Sequence, residues 1–126
     1  MIDIKKHIDY WKETASSDID TATLLIEKGK VKEGLFFSHL FLEKILKAHF
    51  VRKNNNIAPK THDLVYLINK SEIELNTNFL QLVLTIQKFQ LEGRYPDYSI
   101  SIPPIADATK LLNKSKELYL WLLNQL

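Results

Sequence analysis

Residues 31–52 read VKEGLFFSHLFLEKILKAHFVR, a stretch in which apolar side chains recur at intervals of three or four positions. Leu35, Leu42 and Ile45 therefore fall on one side of a helix with 3.6 residues per turn. The stretch predicts a long amphipathic helix from about Val31 to Arg52.

The same spacing recurs on both sides of this stretch. It predicts a helix of about seven turns before it, and a short helix and two further long helices after it. Three glycines and four prolines leave few interruptions along the chain. The alternation in YSISI, residues 98–102, resembles a strand but has no second strand to pair with. We predict an all-α, antiparallel up-and-down bundle of four long helices plus one short helix, with residues 1–126 forming a single domain.

The inward-facing residues of the long helices follow from the same pattern. In the first helix they are Ile4, Ile8, Trp11, Ala15, Ile19, Ala22 and Ile26. In the fourth they are Phe79, Leu82, Val83, Ile86 and Phe89 or Gln90, and in the last they are Ile105, Ala108, Leu112, Ser115, Tyr119, Leu122 and Leu126.

Residues with known turn and capping preferences predict the helix ends. Gly29 is expected at the C-terminal end of the first helix, and Thr61 is expected to cap the short helix that begins in THDL. Asn76 or Thr77 should cap the fourth helix. Pro104 is expected in the first turn of the last helix, where a backbone N–H has no partner within the helix and its absence costs no hydrogen bond.

Composition excludes several classes of function. The chain has no cysteine, so disulfides, zinc–thiolate sites and thiol nucleophiles are absent, and it has no glycine-rich phosphate loop. We therefore expect no cofactor. A net charge of +2 is too small to indicate an extensive nucleic-acid interface, although a local patch remains compatible with it. The charged N-terminal stretch lacks the apolar segment of a signal peptide, so a cytoplasmic protein without membrane association is expected.

The long central helix carries the first candidate chemistry. His39 and Glu43 lie four positions apart and could share a metal, but no further ligand pair accompanies them. The favoured interpretation is a histidine bonded to a neighbouring carboxylate on the helix surface. Glu43 and Lys47 have the correct order for an i,i+4 ion pair, which on spacing alone indicates a solvated face.

The second candidate is the irregular segment GRYPDYS, residues 93–99. Of the 17 lysines and arginines only two are arginine, and one of them, Arg94, stands in this segment. Its planar guanidinium suits carboxylates and phosphates better than lysine does. Two interpretations stay open at this point: a turn in which Asp97 follows Pro96, or a site for a ligand or partner.

Taken in order, these segments resemble the HEPN family over essentially the whole chain. The resemblance is carried by Trp11 and the following SSDIDTATLL, by the pairs Glu43-Lys44 and Lys47-Ala48, by THDL and by RYPD. It implies a helical bundle that commonly forms homodimers. It also implies frequent pairing with a minimal nucleotidyltransferase in two-component, toxin–antitoxin-like modules.

The resemblance bears on catalysis as well. Many HEPN proteins are metal-independent RNases with a histidine four to six residues after an arginine. No histidine follows Arg94, and the next one after Arg52 is His62, ten positions on. The chain is therefore similar to a non-nuclease branch marked by Arg-Tyr-Pro-Asp, and no catalytic residue is assigned.

We accordingly predict a non-catalytic dimer that binds a nucleotide, an RNA or other nucleic-acid phosphate, or a partner nucleotidyltransferase. An RNase toxin with an atypical active site and a purely structural assembly module are the alternatives. Arg94 is expected to pair with Glu43 when no ligand is bound. The predicted binding residues are Glu43, Lys47, His62, Arg94, Tyr95 and Asp97.

The homodimer is also predicted from the residues themselves. The apolar stripes are wider than one seam within a monomer requires, and an apolar surplus of that kind indicates an interface. The residues counted in this surplus are Phe36, Phe37, Leu40, Phe41 and Trp121.

Overall fold

The computed structural model describes residues 2–91 and 101–126, and these contain five α-helices and no strand. The helices are α1 (Ile4–Glu27), α2 (Val31–Asn54), α3 (Leu64–Lys70), α4 (Thr77–Leu91) and α5 (Ile105–Leu123). Four are long and one is short, which confirms the predicted all-α bundle. No helix in the described ranges combines the length and the apolarity needed to cross a bilayer.

Helix α2 lies at the centre of the bundle. It packs against α1, α3, α4 and α5, so its buried residues occur on several sides and not along one stripe. Leu35, Leu42 and Ile45 are fully buried as predicted. Phe41 is also completely buried inside the monomer, so its inclusion among the surplus apolar residues was wrong. A helix surrounded by four others has little surface left for solvent.

The ends of the helices are stabilised by local hydrogen bonds. Gly29 follows α1 with a φ of +78°, in the left-handed region that glycine adopts without strain. Asp63 is the N-cap of α3 and accepts from the amide of Tyr66, so the cap predicted at Thr61 was misplaced by two residues. The Thr61 hydroxyl instead accepts from the amide of Asp63. Asn76 accepts from the amide of Phe79, as predicted.

The last helix differs from its prediction at its first turn. Pro104 is the N-cap and not part of that turn, and Ile105, expected to face inward, is 50% exposed. The remaining predicted stripe is buried from Ala108 to Leu122. At the other end, the side chains of His49 and Arg52 on α2 donate to carbonyl oxygens of Leu122 and Gln125. These bonds satisfy part of the C-terminal end of α5, whose last turn contains no basic residue.

Gly34 permits the close approach of α1 and α2. A Cβ atom at this position would lie 2.5 Å from Cδ1 and 2.6 Å from Cγ1 of Ile26. We expect Gly34→Ala to lower the free energy of unfolding by about 1–3 kcal/mol through overpacking, despite the better helix propensity of alanine. Urea denaturation measures this loss.

Ile26→Val supplies the control, because it removes Cδ1 and leaves the backbone unchanged. In that background the cost of Gly34→Ala should be smaller, since one of the two close contacts is gone. Equal costs in both backgrounds would show that Cδ1 of Ile26 does not limit the residue at position 34.

Candidate functional site

The carboxylate of Glu43 is the centre of a hydrogen-bonded network between α2 and the loop before α3. Glu43 is 3% exposed. Its Oε2 accepts from Nζ of Lys47 at 3.0 Å, and its Oε1 accepts from Nδ1 of His62 at 2.8 Å. A buried carboxylate needs partners of this kind, because leaving it unpaired costs several kcal/mol. The network, named here the Glu43 network, comprises Glu43, Lys47, His62 and His39.

His39 completes the network from one turn before Glu43. It is fully buried, and its Nε2 lies 3.0 Å from the carbonyl oxygen of His62. A carbonyl only accepts, so Nε2 carries the hydrogen and Nδ1 is an acceptor in the neutral ring. Nδ1 lies 3.8 Å from Oε1 of Glu43 and has no hydrogen-bond partner among the described residues. Burial lowers the pKa of His39 to about 4, although Glu43 opposes that shift.

Helix α1 closes the other side of the network. The ammonium of Lys47 lies 5.2 Å from the ring centroid of Trp11, within the range of a cation–π interaction. Lys44 lies three positions before Lys47 on α2. Its Nζ forms an ion pair with Oδ2 of the buried Asp18 of α1, at a distance of 2.7 Å. The tryptophan and aspartate that carried the family resemblance therefore hold two lysines of α2 in place.

The loop before α3 positions His62. Asp63 caps α3, and the backbone carbonyl of His62 accepts from His39, so the chain is fixed on both sides of the imidazole. The side chain of His62 is 42% exposed. Leu64, two residues on, donates its amide to Oε1 of Gln87 near the end of α4. The C-terminal part of α4 therefore lies beside the loop that carries His62.

Two interpretations of α2 were wrong. The pair Glu43–Lys47 was assigned to a solvated face, but both side chains are buried. His39 was placed on the helix surface, but it is fully buried and its Nδ1 is too far from Glu43 for a hydrogen bond. The physical reason is shared: α2 is central, and polar side chains on its inner sides must satisfy one another.

Three of the six predicted binding residues come together in the structure. The carboxylate of Glu43 forms direct hydrogen bonds with both Lys47 and His62. Arg94, Tyr95 and Asp97 lie outside the described residues, and so does the predicted pairing of Arg94 with Glu43, which stays a prediction.

The arrangement has a defined chemical capacity. Nδ1 of the half-exposed His62 ring donates to a carboxylate, and its Nε2 has no hydrogen-bond partner among the described residues. In the described ranges, no group of three or more histidine, aspartate or glutamate side chains is arranged to hold a metal ion. The side chains of the Glu43 network can therefore act on a ligand through hydrogen bonds and charge.

Sequence reasoning missed the contribution of His39 to this site. The available signal was the spacing of four residues that places His39, Glu43 and Lys47 on one side of α2. That His62, 23 residues from His39, contacts the same carboxylate could not be derived from spacing.

The fold and the network together define a small all-α bundle with a charged network between its central helix and the short-helix loop. The family model for the HEPN domain matches residues 8–126, so the chain belongs to the HEPN family. Among solved structures, the chain is similar to the crystal structure of ST0689, an archaeal HEPN homologue. That match has a TM-score of 0.72 and 22% identity, and covers 94% of this chain and 96% of the other. A search of curated proteins finds no match.

Proposed function

We propose that this HEPN protein is a non-catalytic homodimer that binds the phosphate of a nucleotide or nucleic acid, or a partner nucleotidyltransferase. In the cell it would act with a minimal nucleotidyltransferase in a two-component, toxin–antitoxin-like module. The proposed binding residues are Glu43, Lys47, His62, Arg94, Tyr95 and Asp97.

The observation that carries the proposal is the bond between buried Glu43 and half-exposed His62. A buried carboxylate that bonds to one nitrogen of an imidazole fixes the orientation of the ring. The side chain therefore loses less conformational entropy when a ligand binds. Lys47 satisfies the other carboxylate oxygen, so the buried charge is balanced. Because Nδ1 donates to Glu43, Nε2 of the neutral ring is an acceptor for a hydroxyl or amino group of a nucleotide, and it donates to a phosphate only in the doubly protonated ring.

Arg94 is included because of where α4 ends. Gln87 of α4 bonds to Leu64, two residues from His62, and the helix ends at Leu91. Arg94 follows three residues later, a separation of at most about 11 Å along an extended chain. A site shared with His62 is within this reach, and in it Arg94 would contribute a bidentate grip on phosphate or carboxylate, accompanied by Tyr95 and Asp97.

The first test compares the two arginines. Arg94→Lys should weaken binding of ATP or of a short mixed-sequence RNA by about 1–3 kcal/mol, the range for a charge-assisted hydrogen bond. Fluorescence anisotropy or calorimetry measures the affinity. Arg52→Lys is the matched control, because Arg52 bonds to the backbone of Gln125 at the far end of α2.

Equal affinities of the wild type and both variants would remove Arg94 from the site. If neither ATP nor RNA binds the wild type while it remains dimeric, a nucleotidyltransferase partner or the purely structural assembly module becomes the better interpretation.

A second candidate function is supported by the same pair of residues. A carboxylate-bonded imidazole can act as a general base toward the 2′-hydroxyl of RNA, so an RNase with an atypical active site would use His62 and Glu43. The RNA samples of the binding experiment, kept in EDTA, distinguish the two functions. We expect the RNA to remain intact, and cleavage that disappears in His62→Ala would favour the RNase.

A further inference from the structure

The surroundings of the His62 ring locate its hydrogen. Oε1 of Glu43 lies 2.8 Å from Nδ1 of His62 and 3.8 Å from Nδ1 of His39. His39 carries its hydrogen on Nε2, which donates to the carbonyl oxygen of His62, so its Nδ1 offers none to Glu43. A carboxylate oxygen only accepts, and a buried one needs a donor. Because His62 is the donor that the described residues supply to Oε1, its Nδ1 carries a hydrogen.

The charge of Glu43 is balanced without a charge on His62. The buried ammonium of Lys47 lies 3.0 Å from Oε2, and it also contacts the ring of Trp11. A second positive charge on the same carboxylate would repel that ammonium, and a nearby like charge disfavours the charged form of a group. The network therefore favours the neutral His62 ring, in which Nδ1 donates and Nε2 has a free lone pair.

The other charged groups near the ring do not change this balance. The loop of His62 also carries the exposed Lys60 and Asp63, one charge of each sign, and the carboxylate of Asp63 caps α3. The neighbouring part of α4 contributes the uncharged amide of Gln87. The residue after it, Lys88, lines a groove on the side of α5.

Nε2 of His62 is the nitrogen that a ligand can reach. The side chain is 42% exposed, and Nε2 has no hydrogen-bond partner among the described residues. Phosphate oxygens are acceptors, so a lone pair at Nε2 repels them. The donors that a nucleotide offers are the ribose hydroxyls and the exocyclic amino groups of its base.

We propose that His62 recognises the nucleoside part of a nucleotide, by accepting a hydrogen bond at Nε2 from a ribose hydroxyl or a base amino group. Phosphate is then held by other residues of the site. The inference rests on the nucleotide binding of the proposed function and gives His62 one defined partner within it.

The position of the ring hydrogen is tested first. Long-range ¹H–¹⁵N NMR spectra at about pH 8, above the ordinary pKa of histidine, should show a hydrogen on Nδ1 of His62 and none on Nε2. Glu43→Gln is the matched variant. Because the Lys47 ammonium only donates, the amide oxygen would face it and the amide NH₂ would face His62, which moves the ring hydrogen to Nε2. A wild-type ring with a hydrogen on Nε2 would overturn the proposal.

Ligand analogues then identify the recognised group. Calorimetry compares ATP with 2′-deoxyATP, with 3′-deoxyATP and with purine riboside triphosphate, which lacks the amino group. One analogue should bind the wild type about fivefold to tenfold more weakly than ATP, the effect of one lost hydrogen bond. His62→Asn keeps an amide that can donate to Glu43 but has no atom at the position of Nε2. This variant should bind ATP and that analogue equally.

The outcomes separate this inference from the proposed function. Equal affinities of the wild type for all four nucleotides would overturn the inference and leave nucleotide binding standing. A difference that persists in His62→Asn would also overturn it, because another residue would then recognise the group. Inorganic tripolyphosphate that binds the wild type more tightly than His62→Asn would assign His62 to phosphate instead. A wild type that does not bind ATP would overturn the inference, whereas binding of RNA or of a nucleotidyltransferase would still support the proposed function.

Discussion

Replacing Glu43 by alanine is expected to lower the free energy of unfolding by about 3–5 kcal/mol, the cost of removing one partner from a buried ion pair. The side chain of Lys47 is only 8% exposed, so its ammonium would stay in the interior without the carboxylate. His62 would lose the bond that orients its ring. Urea denaturation at pH 7 measures the loss, and it should be accompanied by weaker ligand binding if the proposed site is correct.

Two control variants separate the effect of burial on stability from the effect of ion pairing. Asp9 and Lys5 form an i,i+4 ion pair at 2.8 Å on the exposed surface of α1, and Asp9→Ala should produce little change because solvent screens that pair. The double variant Glu43→Leu, Lys47→Met removes both buried charges, and it should be more stable than Glu43→Ala. A Glu43→Ala variant as stable as Asp9→Ala would contradict the structural importance of the Glu43 network.

The fold was predictable because its signal is local. Apolar side chains spaced by three and four positions define the helices, and α2, predicted from about Val31 to Arg52, extends from Val31 to Asn54. One error lies where two local signals compete. Thr61 and Asp63 are both good caps two positions apart, and only the conformation of the loop decides that Asp63 bonds to the first turn of α3.

The site was predictable only in part because its contacts are not local. The spacing of Glu43 and Lys47 correctly indicates an ion pair, but the same spacing occurs on exposed helices. Burial of the pair depends on the packing of α1 and the α3 loop around α2, which no local pattern records. The family resemblance supplied His62 as a candidate, and the structure places its imidazole on the carboxylate that also accepts from Lys47.

The second large expected effect is a loss of folding stability at acidic pH. His39 is expected to make the protein less stable by about 3 kcal/mol between pH 6.5 and pH 4. In the unfolded chain a histidine takes up a proton near pH 6.5, whereas burial holds the pKa of folded His39 at about 4. Between these values the unfolded state binds more protons, so stability falls as the pH falls. The stabilisation is fully present above pH 6.5 and is lost on the way to pH 4.

His39→Gln isolates this contribution, because the glutamine amide can keep the hydrogen bond to the carbonyl of His62 and does not titrate. Free energies of unfolding are measured by urea denaturation at intervals from pH 7 to pH 4. The wild type should lose more stability over this interval than the variant, by about 3 kcal/mol. His49, whose pKa burial also lowers, should leave a residual slope of the same sign in the variant. Parallel profiles for the two proteins would mean that folded His39 accepts a proton as readily as the unfolded chain, and Nδ1 would then have to donate to Glu43.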